Sequence, residues 1–213
     1  MTRRPAHAAA LALSYDGPMG AGAGLLALSY LLGTFPTALI VARLTGHDPT
    51  QEGSGNPGAS NVYRLAGARA GAAVFLGDVA KGAAATAAGR AVGGPQLALA
   101  CGVSAMLGHV FPLFRGFRGG RGVATAAGTV AVLEPVVALP LAAAWFLIAR
   151  VTGRASVASL VVIGAMPVTV VALDRPAWEK AGMAALAAIV VGRHAGNLVR
   201  LARGDEPTLE RSP

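Results

Sequence analysis

Apolar runs long enough to cross a bilayer alternate with short polar loops along almost the whole chain. A helix that spans the hydrocarbon needs about 20 mostly apolar residues. Residues 21–43 form the first such run and end at Arg43. The second, about Leu65 to Ala91, carries Asp78 and Lys81 inside it. The third covers about Pro95 to Phe114. From Gly122 to Ile148 the chain is again apolar, but Glu134-Pro135 interrupts it. Proline removes a helix donor and disfavours helix at the residue before it. This stretch therefore predicts two short helices joined by a turn near Glu134. Two further runs, about Ser156 to Leu173 and about Ala181 to Gly192, bring the expected spans to seven, the fourth, fifth and seventh being short. Helix is the expected element throughout, because lipid-exposed backbone must satisfy its own hydrogen bonds.

Composition agrees with that pattern. The 213 residues are 54% hydrophobic and only 13% charged, with a mean hydropathy of +0.57. A soluble domain carries about 25% charge. The expected class is an all-α, polytopic integral membrane protein built as one domain over residues 21–206. Residues 1–20 read as an N-terminal extension, in which Arg3 and Arg4 precede an Ala-rich run that Asp16-Gly17-Pro18 breaks. That run only weakly resembles a signal peptide. Residues 207–213 read as a tail. The single cysteine, Cys101, lies in an apolar stretch, so no disulfide framework exists. A bias to Ala, Gly and Arg with two lysines suggests a high-GC bacterial genome.

Charge then orients the chain. The net charge is +8, and the charges lie in short loops between apolar runs. That placement favours anionic lipid and anionic substrates over nucleic acid as partners. Seven spans put the ends on opposite sides, with the loops at 44–64, 115–121 and 149–155 and the C-terminal tail together. That side holds Arg43, Arg64, Arg69, Arg115, Arg118, Arg121, Arg150, Arg154, Arg193, Arg200, Arg203 and Arg211. The other holds Arg3, Arg4, Arg90, Arg175 and Lys180. The positive-inside rule makes the arginine-rich side cytoplasmic and the N-terminus external.

Three polar segments on that side carry the candidate chemistry. GSGNPGASNVYR, residues 53–64, satisfies G-x-G-x-x-G, yet no strand precedes it, so a dinucleotide-binding turn is not expected. Gly53, Gly55 and Gly58 let backbone N–H groups approach an anion. Ser54, Asn56, Ser60 and Asn61 add neutral donors, and Arg64 adds a fork suited to phosphate. A flexible polar connector between helices is the alternative. The second segment, GHVFPLFRGFRGGRGVAT (108–125), contains Arg118-Gly119-Gly120-Arg121-Gly122 leading towards a helix that includes Thr125. Backbone donors at a helix N-terminus with arginines make a phosphate site. A basic anchor alone accounts for Arg115 and Arg118 but poorly for four glycines at 116, 119, 120 and 122. His109 reads as a proton donor or as a packed interfacial histidine. In the third, RHAGNLVR (193–200), Arg193, His194 and Asn197 share a helix face. Arg193, Asn197 and Arg200 could clamp an anion, whereas Arg203 and Arg211 read as an ordinary basic helix end. Asp78 and Lys81 are three apart and either neutralise one another or meet a substrate. Ser156 and Ser159 either line the same site or cap a helix.

Other chemistries lack their signatures. There is no C-x-x-C or H-x-x-E-H pattern for zinc and no G-x-S-x-G elbow. No histidine has an aspartate five residues later, which argues against the H-x-x-x-x-D acyltransferases that use thioester donors.

Taken together, the motifs resemble those of the bacterial acylphosphate-dependent glycerol-3-phosphate acyltransferases, the PlsY family. GSGNPGASN resembles that family's GSGNxGATN. GHVFPLFRGFRGGRGVAT resembles GHxFPxFxxFKGGKGVAT, and RHAGNLVRLARGDE resembles RHxENIxRLxxGxE. LGDVAKG matches LxDxxKG, and order and spacing agree from about residue 25 to 206. The resemblance implies a seven-helix enzyme of the bacterial inner membrane. It would transfer a fatty acyl group from a long-chain acyl phosphate to the sn-1 hydroxyl of glycerol 3-phosphate. Lysophosphatidic acid and phosphate would result, as the first step of phospholipid synthesis. No cofactor, metal, coenzyme A or acyl carrier protein is implied. Ser54, Arg64, Arg121, Ser156, His194 and Asn197 fall on family positions that bind the two phosphate-bearing substrates. Of these, His194, Asn197 and Ser156 are the expected catalytic residues, and Asn56, Ser60, Asn61, Gly119, Gly120, Gly122, Thr125 and Arg193 are expected to join Ser54, Arg64 and Arg121 in binding substrate and phosphate. The chain departs from the pattern in three places: Arg118 and Arg121 stand for lysines, Ser60 for threonine, and Ala195-Gly196 for x-Glu. Asp205 or Glu206 could replace the lost carboxylate. The rival classes are an organic-phosphate transporter, which would show an internal repeat and polar groups on both faces, and a lipid-binding scaffold, which would not need the Ser and Asn beside the arginines.

Overall fold

The computed structural model describes residues 16–209, and all of its regular structure is helical. Helices α1 (Asp16–Gly33) and α2 (Thr37–Leu44) share the first apolar run but break at Thr34–Pro36. Next come α3 (Ala59–Ala66), α4 (Ala68–Val110), α5 (Val123–Leu133), α6 (Pro135–Thr152), α7 (Ala155–Ala172), α8 (Ala177–Arg193) and α9 (Ala195–Arg203). The 43-residue α4 is two limbs joined at a kink, where Gly94 adopts φ 77° before Pro95. Glycine accepts that φ without the Cβ penalty, and proline starts the second limb where its missing N–H costs nothing.

Several expectations are refined. Asp16, Gly17 and Pro18 lie in the described part of α1, whereas the Ala-rich run before them lies outside the described residues. Residues 1–15 of the expected extension, with Arg3 and Arg4, and residues 210–213 of the expected tail, with Arg211, lie outside the described residues. The Glu134–Pro135 turn is present, with proline at the first position of α6. The predicted break between the second and third runs is the α4 kink. Helices α3 and α9 were not expected as separate elements. Among the described residues, four helical stretches qualify as spans by length and apolarity, and a fifth does if α8 and α9, bent by 54°, count as one. The expected seven requires dividing α4 at its kink and counting the 11-residue α5.

Helix association in lipid cannot draw on the hydrophobic effect, so it relies on close backbone approach between small residues. The α4–α5 seam shows this. A methyl added at Gly82 would collide with the Thr125 carbonyl, and one at Gly128 with that of Val79. The larger core joins the second limb of α4 to α5, α7 and α8 through Leu99, Met106, Val130, Ile163, Met166, Met183 and Leu186. A smaller one, with Val62 and Val74 at its centre, joins α2 and α3 to the first limb of α4. Leu28, Val136, Leu147 and Val168 face outward, where lipid replaces water.

Candidate active site

One cavity of about 290 Å³ runs from the loop end of the bundle into its interior. The first loop forms one wall. It is held in shape by Asn61, which is buried. Asn61 Oδ1 accepts from the Ser54 amide at 2.9 Å, and its Nδ2 donates to the carbonyls of Pro49 (3.1 Å) and Glu52 (3.0 Å). Ser54, Asn56, Ser60, Asn61 and Arg64 therefore all line the cavity, with Asn61 also serving as the loop's staple. Arg64 is tied by its Nε to the Thr208 carbonyl (2.8 Å) and by Nη1 to Asn61 Oδ1 (3.3 Å).

The glycine-rich loop forms the opposite wall. Gly119 and Gly120 donate to the carbonyls of Val110 (3.1 Å) and His109 (3.2 Å), so the loop returns along the end of α4. Gly122, at φ 86°, turns the chain into α5. Arg121, Gly122 and the first residues of α5 line the cavity, where a helix N-terminus leaves N–H groups unpaired. Gly119 and Gly120 do not line it. Arg193 lies across them, donating to their carbonyls at 3.1 and 3.3 Å and stacking over the Phe111 ring at 5.7 Å. Thr125 faces the α4 seam, buried and with its hydroxyl unpartnered.

The third wall comes from α7, the α8–α9 bend and the segment after α9. Ser156 lines the cavity. Its Oγ has no partner in hydrogen-bonding geometry, although it lies close enough to influence the Glu206 carboxyl. His194 is buried at the bend, and Nδ1 lies 2.8 Å from the Val190 carbonyl. Donation from Nδ1 leaves Nε2 as the free ring nitrogen of a neutral imidazole. After Gly204 the chain folds back as a strap, residues 204–209. It is tied down by Arg64 at Thr208, by Arg154 at the Glu206 carbonyl (3.3 Å), and by the Leu209 amide at the Gly153 carbonyl (2.7 Å). The strap carries Glu206 into the cavity, where Oε1 accepts from Asn197 (2.5 Å) and Oε2 from Arg200 (2.9 Å). The carboxylate expected two residues along from His194 thus arrives from nine residues beyond Asn197. Asn197 itself is buried against it.

Electrostatics at this end are unbalanced. Burial lowers the Arg121 guanidinium to about 10, still protonated at neutral pH, and burial also lowers Arg64. Among the described residues neither has a carboxylate within salt-bridge distance, since Glu206 pairs with Arg200. Burial pushes the Glu206 carboxyl up, but the neighbouring Ser156, Asn197 and Arg200 outweigh it and leave it below the usual carboxylate range. Two half-buried cations face this cavity while its carboxylate, Glu206, is already engaged by Arg200, so the site favours an entering anion.

The far end of the cavity is apolar. Val79, Val130, Leu141, Ile163 and Met166 line it, and Trp145 donates to Ser159 Oγ at 3.0 Å. Phe75 and Phe146 meet edge to face at 6.5 Å beside Leu139. Phe146 is 59% and Leu139 73% exposed, so the apolar end opens sideways onto the lipid-facing surface. Such a chamber takes a molecule with an anionic head and an aliphatic tail. Among the described residues no group of three metal-ligating side chains forms.

Known proteins share this architecture. The model of the glycerol-3-phosphate acyltransferase family matches residues 23–204. A glycerol-3-phosphate acyltransferase of Thioalkalivibrio sulfidiphilus is 41% identical over 185 residues, covering 85% of this chain and 90% of that one. The crystal structure of PlsY, an integral membrane glycerol 3-phosphate acyltransferase, in its glycerol 3-phosphate form superposes with a TM-score of 0.85 at 32% identity. The match covers 89% of this chain and 96% of that one. Its lysophosphatidic acid form gives 0.83, over 89% and 95%.

Proposed function

The chain belongs to the glycerol-3-phosphate acyltransferase family, and from that premise we propose that its acyl donor is a long-chain acyl phosphate and its acceptor the sn-1 hydroxyl of glycerol 3-phosphate. It is a multi-pass membrane acyltransferase, and phospholipid synthesis follows from the family. The observation that carries the finer reading is the pair Arg64 and Arg121, half-buried and with no carboxylate within salt-bridge distance, at one end of a cavity whose other end is apolar. An acyl phosphate needs both ends at once. A thioester of a large carrier would need no second cation for its leaving group.

In this reading Arg64, Arg121, Ser54, Asn56, Ser60 and the first turn of α5 hold the two phosphates. Asn61, Gly119, Gly120, Gly122 and Arg193 keep those walls in place, and Thr125 seats α5 on α4. His194 Nε2 and Ser156 face the reacting groups, and Asn197 acts behind them by holding the Glu206 carboxylate. The acceptor hydroxyl oxygen attacks the acyl carbon, the bond from that carbon to the phosphate oxygen breaks, and the hydroxyl proton leaves on the departing phosphate. Ester and inorganic phosphate result, with no redox change. The leaving group is already good, so the protein's work is positioning and neutralising charge. His194 accepts from the hydroxyl and aims it. Residues 21–206 act as one domain in the bacterial inner membrane, with the arginine-rich loops cytoplasmic and the N-terminus outside.

The test is phosphate release by the purified protein in detergent, given palmitoyl phosphate with and without glycerol 3-phosphate. Release that needs both substrates is expected, and folded His194→Ala should be slower through poorer positioning. Release without glycerol 3-phosphate, or none from folded protein, would reject the donor assignment. An unchanged rate in His194→Ala would remove that residue from the site.

A further inference from the structure

Three buried ionisable groups beside the cavity have no role in that reaction. Asp78 is 3% exposed, Lys81 5% and His109 9%. Lys81 Nζ lies 2.8 Å from Asp78 Oδ1 and donates to the Phe35 carbonyl at 3.3 Å. His109 Nδ1 lies 3.5 Å from the same Asp78 oxygen. Asp78 and His109 reach the wall of the large cavity. All three also border a second chamber of about 20 Å³, shared with Gly120 and Pro57, on the other side. His109 is therefore a partition between the two.

The partition stands directly under the glycine-rich loop. Gly120 donates to the His109 carbonyl, and a methyl at Gly120 would collide with the imidazole Nε2. A methyl at Gly119 would collide with the His109 carbonyl. On the opposite side Arg193 holds the carbonyls of Gly119 and Gly120. The loop is thus sandwiched between the histidine and the arginine, and Arg121 is the next residue. Asp78 favours the ring tautomer with hydrogen on Nδ1, which turns the bare Nε2 towards Gly120. Lys81 neutralises Asp78, so the carboxylate can be buried beside the ring.

We propose that His109, oriented by the Asp78–Lys81 pair, is a positioning residue that sets the seat of the Gly119–Gly120 segment and thereby where the Arg121 guanidinium stands in the phosphate pocket. The inference rests on the reading that Arg121 receives a substrate phosphate. It also gives Asp78 and Lys81 a purpose beyond mutual neutralisation, and it makes His109 more than a packed residue.

The experiment is a double-mutant cycle of His109→Ala and Gly120→Ala, with KM for each substrate, kcat and Tm measured in the same detergent. Arg121→Ala first identifies the substrate whose KM depends on the loop. Gly120→Ala should raise that same KM roughly tenfold, the scale of coupling between touching residues. Adding His109→Ala opens room for the methyl, so the double variant should bind no worse than Gly120→Ala alone. Single effects that multiply, or coupling seen in Tm but not in KM, would overturn the positioning role. An Arg121→Ala variant with both KM values unchanged would instead reject the underlying reading of the pocket. If Gly120→Ala does not fold, His109→Gln against His109→Leu decides. Glutamine can still donate to Asp78 and should keep KM within about threefold of wild type, whereas leucine should raise it roughly tenfold at similar Tm. Equal KM values in the two would sink the proposal.

Discussion

The two ends of the cavity are built on opposite principles. The arginine-lined end is assembled from loops and helix ends whose walls are held in shape by side-chain hydrogen bonds. Asn61 alone makes bonds to Ser54, Pro49, Glu52 and Arg64. The apolar end is assembled from mid-helix side chains of α4 to α7 that share only van der Waals contact, apart from the Trp145–Ser159 bond. A phosphate has fixed size, charge and lone-pair directions, so its site must be over-determined. An alkyl tail asks only for volume and dryness, and apolar packing tolerates exchange of side chains of similar size. One end should therefore be brittle to substitution and the other pliable.

The sharpest way to break that contrast is Arg121→Ala. Removing a half-buried charge-assisted contact of about 3 kcal/mol should cut kcat/KM by about 100-fold or more. Arg121→Lys should retain most of it, because the charge survives. A small effect from the alanine, read by phosphate release, would mean that the polar end is not brittle. Next is Ser156→Ala. The hydroxyl has no partner in hydrogen-bonding geometry and only its proximity to Glu206 to lose, so Tm should fall little while kcat/KM falls roughly tenfold, as for one lost neutral hydrogen bond. A fall in Tm without loss of rate would make Ser156 a packing residue.

Glu206→Gln tests the strap. The folded carboxyl of Glu206 lies below its ordinary value, so its contribution to stability is present above the unfolded carboxylate range. It is lost as pH falls through the lowered folded value. Melting from neutral to acid pH should show a wild-type decline that the glutamine variant partly lacks, with the variant less stable at neutral pH. Parallel curves would show that the carboxylate does not hold the strap. The smallest effect belongs to the apolar end. Met166→Trp should leave KM for glycerol 3-phosphate unchanged and shift preference several-fold towards shorter acyl phosphates, on the scale of about 1–3 kcal/mol for methylene discrimination in an apolar pocket. A changed glycerol 3-phosphate KM would show that the two ends are not separable.

Legibility in the sequence divides along the same line. The loops were readable because a phosphate site needs particular residue types close together in the chain. Ser54 to Arg64 and Arg121-Gly122 were therefore found where they stand. The Glu134–Pro135 turn was readable because proline acts locally. Arg193 was grouped with the anion clamp, yet its partners in the structure are carbonyls 73 and 74 residues away, which no local pattern contains. The carboxylate missing from Ala195-Gly196 is supplied by Glu206 only because Gly204, at φ 80°, reverses the chain after α9. The apolar end left no trace in the sequence, since Phe75, Trp145 and Met166 look like any other span residues until helices separated by tens of residues converge.

The strap has a consequence for how the enzyme is made. Synthesis proceeds from the N-terminus, so the residues of both arginine-bearing walls and of the apolar chamber are all made before residues 204–209. A nascent chain at that stage holds Arg64 and Arg200 without the Thr208 carbonyl and the Glu206 carboxylate that later secure them. Closure of the arginine-lined end thus waits for a segment translated after every helix of the bundle, and a chain interrupted short of it would carry the family's loops yet lack the latch that locks them together.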